Sequence, residues 1–117
     1  MYDVIIIGAG AAGMMAAGTA AQNGKKVLVI EKMEKAGRKI RITGKGRCNL
    51  TNARPPEEFA EQVRTNADFF ATAFAEFNNR ATIRFFERRG LKLDFERGDR
   101  VFPHSGKAWD VANTLEE

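Results

Sequence analysis

The chain is poor in the residues on which disulfides and metal sites depend. Its 117 residues include one cysteine, Cys48, and one histidine, His104. A single cysteine excludes an intramolecular disulfide and a multi-cysteine metal site within this sequence, and no His/Cys/Asp constellation suggests another kind of metal site. Without a resolving partner thiol, Cys48 is expected to be a buried structural thiol or a cofactor contact. We expect His104, in a Pro-His-Ser-Gly turn, to be a surface or structural residue.

Charge is absent from residues 4–21, a length close to that of a membrane-spanning helix. Four glycines and many alanines make this stretch only mildly apolar, and a glycine turn interrupts it. No basic segment precedes it, as a signal peptide would require. We therefore expect a cytoplasmic protein with no membrane partner.

Basic residues crowd into one part of a chain whose formal net charge is only +4. This crowding is typical either of a solvated loop or of a segment that compensates the charge of a bound diphosphate. No RNA-binding aromatic sheet motif or helix-turn-helix pattern accompanies it, so a nucleic-acid partner is not expected. The crowded residues are Lys25, Lys26, Lys32, Lys35, Arg38, Lys39, Arg41, Lys45 and Arg47.

The first 31 residues have the pattern of a dinucleotide-binding unit: an apolar strand, a glycine-rich turn, a small-residue helix and a second strand ending in an acidic residue. Gly8 permits the tight turn out of the strand. Gly10 lets backbone N–H groups approach a pyrophosphate at the helix N-terminus. Gly13 lets the helix lie close to the sheet. Glu31 can accept hydrogen bonds from a ribose and would repel a 2′-phosphate, which favours FAD or NAD over NADP.

The pattern predicts an α/β fold whose first strand is buried on both faces, with Gly24 as the C-cap of the helix. After Ile30 no further apolar strand of that quality is evident. The sequence therefore indicates the N-terminal part of a three-layer Rossmann-like domain, and we expect the rest of the domain, and substrate domains, beyond residue 117. This piece alone would expose one side of an unfinished sheet and is expected to be inactive.

The rest of the chain predicts helices and a short β-hairpin. The hairpin is expected to pair Leu91–Glu96 with Arg100–Phe102 across the Arg-Gly-Asp turn. Phenylalanines at helical spacing are expected to be core residues. The predicted helices are Pro56–Arg64, Ala67–Phe77, Arg80–Arg89 and Lys107–Glu117.

A second motif lies between Ala36 and Asn52, in the run Gly-Arg-Lys-Ile-Arg-Ile-Thr-Gly-Lys-Gly-Arg-Cys-Asn-Leu-Thr-Asn. Its glycines free the backbone to approach a ligand, and its short polar and basic side chains suit an anionic, planar, polar ligand. Such a segment is too polar for a core element.

Together the two motifs resemble the BaiN / aminoacetone oxidase family of FAD-dependent flavoproteins, which has a glutathione-reductase-like FAD-binding fold. Arg100-Val-Phe-Pro103 followed by Ser105-x-Lys107-Ala108 is also similar to that family, so the resemblance covers about residues 2–115. One departure is Lys45, which stands where many members have glycine.

The resemblance implies FAD as the cofactor and places its contacts residue by residue. Arg47 would lie near the flavin, where a positive charge stabilises the reduced, anionic form. No catalytic residue is implied within this chain. The implied FAD-binding residues are Gly8, Gly10, Ala11, Ala12 and Gly13 for the pyrophosphate, Glu31 and Lys32 for the adenosine ribose, Arg38, Lys39, Thr43 and Gly44 along the pyrophosphate and ribityl chain, and Gly46, Arg47, Cys48 and Asn49 near the flavin ring.

The expected function is flavin-dependent oxidoreduction of a small molecule by hydride transfer at flavin N5. Oxidase or dehydrogenase activity and alkene reduction both stay open, with oxygen or NAD(P)H as the electron partner. A non-catalytic FAD- or NAD-binding module is one alternative. An NAD-dependent dehydrogenase domain is another, although the long polar run after Glu31 disfavours it.

Overall fold

The computed structural model describes residues 1–116, which contain five strands, five α-helices and two short 3₁₀ segments. They form two compact units, one of Met1–Cys48 with the chain from Lys107 onward and the other of Asn49–Gly106. In chain order the elements are β1 (Val4–Ile7), α1 (Ala11–Gln22), β2 (Val27–Ile30), a 3₁₀ segment (Ile40–Gly46), β3 (Thr51–Asn52), α2 (Pro56–Glu61), α3 (Ala67–Glu76), α4 (Asn79–Arg88), β4 (Leu93–Glu96), a 3₁₀ turn (Arg97–Asp99), β5 (Arg100–Pro103) and α5 (Ala108–Glu116).

The first unit is built on a parallel pair of strands. β1 and β2 run in register from Val4 opposite Val27 to Ile7 opposite Ile30, and α1 packs against both strands. α1 consists mainly of alanine and glycine, so it is thin enough to approach the sheet closely. Gly24 follows its end with a φ of +76°, the left-handed conformation typical of the residue after a helix C-cap. The predicted strand–turn–helix–strand unit is confirmed.

α5 closes this unit on the side of α1 and the 3₁₀ segment Ile40–Gly46. Val111 and Ala112 of α5 and Met14 of α1 are buried. The helix predicted over Lys107–Glu117 is confirmed over Ala108–Glu116, and Glu117 lies outside the described residues.

One face of the parallel sheet is open within the described residues. Ile5 is 58% exposed, Ile7 is 81% exposed and Ile30 is 48% exposed. Ile5 and Ile7 alternate along β1 with the half-buried Val4 and Ile6, because successive side chains of a strand point to opposite faces. The prediction of burial on both faces is therefore wrong for residues 1–116, whereas the prediction of an exposed sheet face is confirmed.

The second unit contains an antiparallel sheet in the order β3-β5-β4. The predicted hairpin is confirmed: β4 and β5 pair from Leu93 opposite Pro103 to Glu96 opposite Arg100. Within residues 1–116 no third strand joins the parallel sheet, as expected from the lack of a further apolar strand like β1 and β2. The buried side chains of β5, Val101 at 0% and Phe102 at 4% exposed, belong to the antiparallel sheet. β5 is the middle strand of its sheet, so it is buried although only two of its residues are large and apolar.

Three helices complete the second unit, within a few residues of the predicted bounds. α2 begins at Pro56, where proline suits the first helical turn. α4 begins after Asn78, whose Oδ1 accepts a hydrogen bond from the Ala81 amide at 2.9 Å. The ring of Phe74 stacks on two others: its centroid lies 5.1 Å from that of Phe59 and 4.8 Å from that of Phe70.

Two helical phenylalanines are not core residues, contrary to prediction. Phe69 is 88% exposed on α3. Phe77 follows the end of α3 and is 39% exposed. None of the helices within residues 1–116 has the length and apolarity that crossing a membrane requires.

Candidate functional site

The candidate site is built on the glycine-rich turn between β1 and α1. Gly8 has a φ of +100°, which strongly favours glycine, and its amide donates to Ile30 O at 2.7 Å. A Cβ on Gly13 would lie only 1.9 Å from Gly8 O. The first turn of α1 therefore touches the backbone of the turn, which requires glycine at position 13.

The N-terminus of α1 is open above this turn. Gly10 is the N-cap residue, and no side chain caps the helix. Gly10, Ala11 and Ala12 are exposed, and a Cβ at Gly10 would meet no atom within 4 Å. Backbone N–H groups in the first turn of a helix have no partner within the helix, and no acidic residue occupies this turn. The arrangement suits an anion such as a diphosphate.

Glu31 lies directly after β2 and reaches back to the same turn. Its Oε1 accepts a hydrogen bond from the Ala9 amide at 2.8 Å and its Oε2 accepts one from the Met33 amide at 2.8 Å. These hydrogen bonds hold the pKa of Glu31 below its ordinary value. Each oxygen of an ionised carboxylate has a second acceptor position, so the side chain can also accept a ribose hydroxyl.

A groove of about 490 Å³ opens beside the residues that follow Glu31. Lys32 and Arg38 line it together with apolar surface from Met33, Ile42 and Trp109. The Arg38 guanidinium lies 3.6 Å from the Met33 sulfur. The groove thus combines positive charge with apolar walls, a combination that accommodates a phosphorylated planar ligand.

The second motif is attached to the turn at its beginning. The Gly37 amide donates to Ala9 O at 2.7 Å, and Gly37 has a φ of +67°. A Cβ there would lie 3.1 Å from Ala112 Cβ. The glycine pattern of the motif predicts a flexible backbone here but does not indicate this contact of Gly37.

Arg41 is the other residue of this motif whose role was missed. It was counted among the crowded basic residues, yet it is only 5% exposed. Its guanidinium donates to Ala36 O at 2.9 Å, to Asn113 Oδ1 at 2.9 Å and to Glu116 Oε2 at 3.1 Å, and it lies 4.5 Å from the centroid of Trp109. Arg41 is therefore not a solvated loop residue, and its guanidinium is not available to bind the phosphates of a cofactor. Arg41 fixes the segment to α5, so the motif is partly a core element, contrary to prediction.

The glycine-rich half of the motif is exposed and irregular. Gly44 and Lys45 both have a φ of +56°, and Thr43 is extended with a ψ of 157°. Thr43 Oγ1 donates to Ile40 O at 2.7 Å. Lys45 therefore adopts a conformation that costs a non-glycine residue energy.

Cys48 ends the first unit as a buried thiol, 7% exposed. Burial raises its pKa, and a hydrogen bond with the Thr43 side chain offsets part of the rise. The protonated thiol is favoured near neutrality, which suits a structural residue better than a nucleophile. Residues 1–116 contain no cluster of three or more His, Cys, Asp or Glu side chains able to hold a metal.

Comparison with known protein families gives a match over nearly the whole chain. The family profile described as HI0933-like protein Rossmann domain matches residues 2–117. The chain belongs to this family. The HI0933-like membership agrees with the resemblance noted in the sequence and with the Rossmann-like α/β fold, and FAD is the cofactor of such a domain.

Three curated relatives show the range of the family match. The chain is 42% identical to the ribosomal RNA dihydrouridine synthase of Escherichia coli K12 over 91 residues, which are 77% of this chain and 22% of that protein. It is 35% identical to the 3-dehydro-bile acid delta(4,6)-reductase of Clostridium scindens over 118 residues, 99% of this chain and 28% of that protein. It is 44% identical to the digeranylgeranylglycerophospholipid reductase of Methanocella arvoryzae over 61 residues, 51% of this chain and 14% of that protein. The chain thus spans about a quarter of the length of its first two relatives.

The first unit brings together some of the predicted cofactor residues. Gly8, Gly13 and Glu31 are joined by contacts through the turn, and Lys32 and Arg38 line one groove. Gly10, Ala11 and Ala12 form the open helix end above the same turn. Five more of the predicted residues lie along an exposed segment: Lys39, Thr43, Gly44, Gly46 and Arg47.

Asn49 is the predicted cofactor residue that lies in the second unit. With its amide oriented to satisfy both groups, it donates to Thr51 O at 2.9 Å and to Val101 O at 3.2 Å. These hydrogen bonds attach it to the backbone of β3 and β5, so it has a structural role in that sheet. Its contact with the flavin stays a prediction.

Proposed function

We propose that this chain is the FAD-binding portion of a flavin-dependent reductase that adds hydrogen to a carbon–carbon double bond. The observation that carries the proposal is the turn itself: an open helix N-terminus beside an ionised carboxylate, in a chain of the HI0933-like family. The exposed face of β1 supports the expectation that further residues complete the domain. The activity of a longer protein is part of the proposal, and its cytoplasmic location stays a prediction.

The names of the relatives favour the reductive direction over oxidase activity. Two of them are called reductases. The third is called a dihydrouridine synthase, and a dihydrouridine is a uridine whose ring double bond has been saturated. Addition of hydrogen to a double bond is the chemistry that these names share. For the present protein we therefore propose a carbon–carbon double bond as the group that is reduced.

In this proposal the chain's own residues bind and orient the cofactor. Gly10, Ala11, Ala12 and Gly13 present backbone N–H groups to the pyrophosphate, and Glu31 accepts from the ribose. Gly8 permits the turn that places them, while its own amide donates to Ile30 O. Lys32, Arg38 and Lys39 supply positive charge beside these groups, and the exposed segment from Thr43 to Arg47 continues toward the flavin. When bound, FAD supplies hydride transfer at its flavin ring.

The binding part of the proposal is tested by the flavin content of the purified full-length protein. We expect a yellow protein that releases FAD on denaturation. Glu31→Ala should lower FAD retention because a ribose contact is lost, and Gly10→Val should lower it further because its side chain would occupy the space over the helix end. Glu76→Ala removes another exposed carboxylate and should retain full flavin. Full occupancy in both site variants would contradict the assignment.

The reaction is tested by reducing the flavin without oxygen and then offering an alkene acceptor. Recovery of the oxidised absorption, with the acceptor gaining two hydrogen atoms, is the expected result. Recovery with oxygen alone would favour an oxidase. A flavin that no donor bleaches would favour a non-catalytic FAD module.

A further inference from the structure

One face of α4 carries three arginines at positions i, i+4 and i+8. Arg80, Arg84 and Arg88 are all exposed, whereas the opposite face is buried through Ile83 and Phe86. Residues four apart in an α-helix lie on the same side, about 6 Å apart along the axis. We call these three residues the arginine row. It presents three guanidinium groups to solvent in a regular line.

The arginine row has no counter-charge that would explain it as a structural feature. Within residues 1–116, no hydrogen bond or ion pair engages these three guanidinium groups. Residues 79–92 contain five basic side chains and one acidic side chain, Glu87. Like charges four residues apart weaken a helix. Repulsion within the row therefore destabilises α4, and an anionic partner would relieve that repulsion.

We propose that the arginine row is a docking surface for the backbone of single-stranded RNA. Guanidinium groups bind phosphates strongly, and a straight row of them can follow a backbone in which phosphates recur at short, regular intervals. The inference goes beyond the proposed reductase function, since RNA would dock on α4 whether or not it carries the bond that is reduced.

A neighbouring aromatic ring favours RNA over an acidic peptide as the occupant. Phe77 is 39% exposed, and its ring packs edge-on against Phe85 of α4, with centroids 6.0 Å apart. An exposed ring beside a basic row offers a base a surface for stacking, as in proteins that bind single strands. The name of the Escherichia coli relative also contains RNA. The sequence alone led to the opposite expectation because no known RNA-binding motif is present.

The experiment measures binding of a labelled single-stranded oligouridine to the full-length, FAD-loaded protein by fluorescence anisotropy over a range of salt concentrations. The test variant replaces the arginine row by Arg80→Gln, Arg84→Gln and Arg88→Gln. Each phosphate contact on a single strand contributes about 0.7 to the slope of log K against log salt. Loss of three contacts should flatten the slope by about 2 and weaken binding about 100-fold at ~0.1 M salt.

A matched control removes the same charge elsewhere. Lys25→Gln, Arg64→Gln and Arg97→Gln change three exposed basic residues outside α4 and should leave the slope nearly unchanged. Phe77→Leu should weaken binding several-fold without altering the slope, because stacking is not salt-dependent in this way. Circular dichroism and flavin content check that each variant folds, which is expected because glutamine and arginine have similar helix propensities.

Several outcomes would overturn the inference. Equal weakening by the control triple would mean that net charge, not the arginine row, binds RNA. Competition by polyglutamate as effective as that by unlabelled RNA would assign the row to an acidic protein. Absence of RNA binding in the wild-type protein would also refute the inference, while flavin reduction and reoxidation would still report separately on the proposed function.

Discussion

Replacement of Gly13 by alanine tests the close approach of α1 to the glycine-rich turn. The new Cβ would lie 1.9 Å from Gly8 O and 3.0 Å from the Gly8 carbonyl carbon, with Ile6 Cγ2 at 3.4 Å. The nearest atom belongs to the backbone, and the turn is held to β2 by the hydrogen bond from Gly8 N to Ile30 O. No side-chain rotation can relieve the overlap, so either the helix or the turn must move by more than 1 Å.

The magnitude follows from three contributions to the free energy of unfolding, one stabilising and two destabilising. An alanine inside a helix normally stabilises it by up to about 1 kcal/mol relative to glycine. Overpacking against a fixed backbone costs about 3 kcal/mol at the upper end of its usual range, and loss of the Gly8–Ile30 hydrogen bond costs about 1 kcal/mol. We expect Gly13→Ala to destabilise the protein by about 3 kcal/mol.

Gly18 provides a control in the same helix. A Cβ there would meet no atom within 4 Å, so Gly18→Ala should stabilise the protein by up to about 1 kcal/mol through helix propensity alone. Urea unfolding of the FAD-free protein measures both variants. If Gly13→Ala were as stable as Gly18→Ala, the close packing of helix and turn would be wrong. We also expect Gly13→Ala to lose FAD, because a displaced helix misplaces its N–H groups.

Three further predictions concern side chains of the first unit. Arg41→Met should lower the free energy of unfolding by about 2 kcal/mol because three hydrogen bonds of a buried guanidinium are lost. Arg41→Lys should not restore it, because the three donors of one ammonium nitrogen cannot reach acceptors arranged around a planar guanidinium; denaturant midpoints measure both variants. Lys45→Gly should raise the free energy of unfolding by about 1 kcal/mol, because glycine adopts the left-handed conformation of position 45 without the steric cost that lysine has there. The same denaturant midpoints measure this change. For Glu31, the folded-state pKa lies below the ordinary 4.5, so its contribution is present above that pH and is lost as pH falls through the folded pKa. In Glu31→Gln the free energy of unfolding should therefore fall less steeply below about pH 4.5 than in the wild-type protein. An equally steep fall, measured by urea unfolding at several acidic pH values, would contradict the hydrogen bonds of Glu31.

Much of the first unit could be predicted because its determinants are local. The glycines at 8 and 13, the two apolar runs and the carboxylate at 31 lie within about thirty residues, and each acts on its immediate neighbours. The hairpin was equally predictable, since the Arg-Gly-Asp turn places Gly98 at a φ of +75° between two strand-forming runs. In such segments the backbone conformations that the residues favour and the burial of their apolar side chains predict the same structure.

The roles of other residues depend on contacts distant in sequence. Arg41 is buried because Asn113 and Glu116, more than 70 positions away, accept its hydrogen bonds, and no pattern around position 41 indicates them. Phe69 and Phe74 occupy the same helix at similar spacing, yet only tertiary packing determines that the first is exposed and the second is stacked. Periodicity identifies apolar positions, but it cannot select which of them the rest of the chain covers.

The hydrogen bonds of Ala9 explain how folding and cofactor binding can be separated in this site. Its amide donates to Glu31 and its carbonyl accepts from Gly37, so the shape of the turn is fixed by protein contacts before any ligand arrives. A preorganised site spends little binding free energy on ordering, and FAD at 100 times its Kd would add about 2.7 kcal/mol to stability by mass action. Gly13 is required by the fold itself, whereas Gly10 borders open space. A side chain at Gly10 should therefore abolish the stabilisation by FAD while leaving the FAD-free protein intact, and a side chain at Gly13 should damage both.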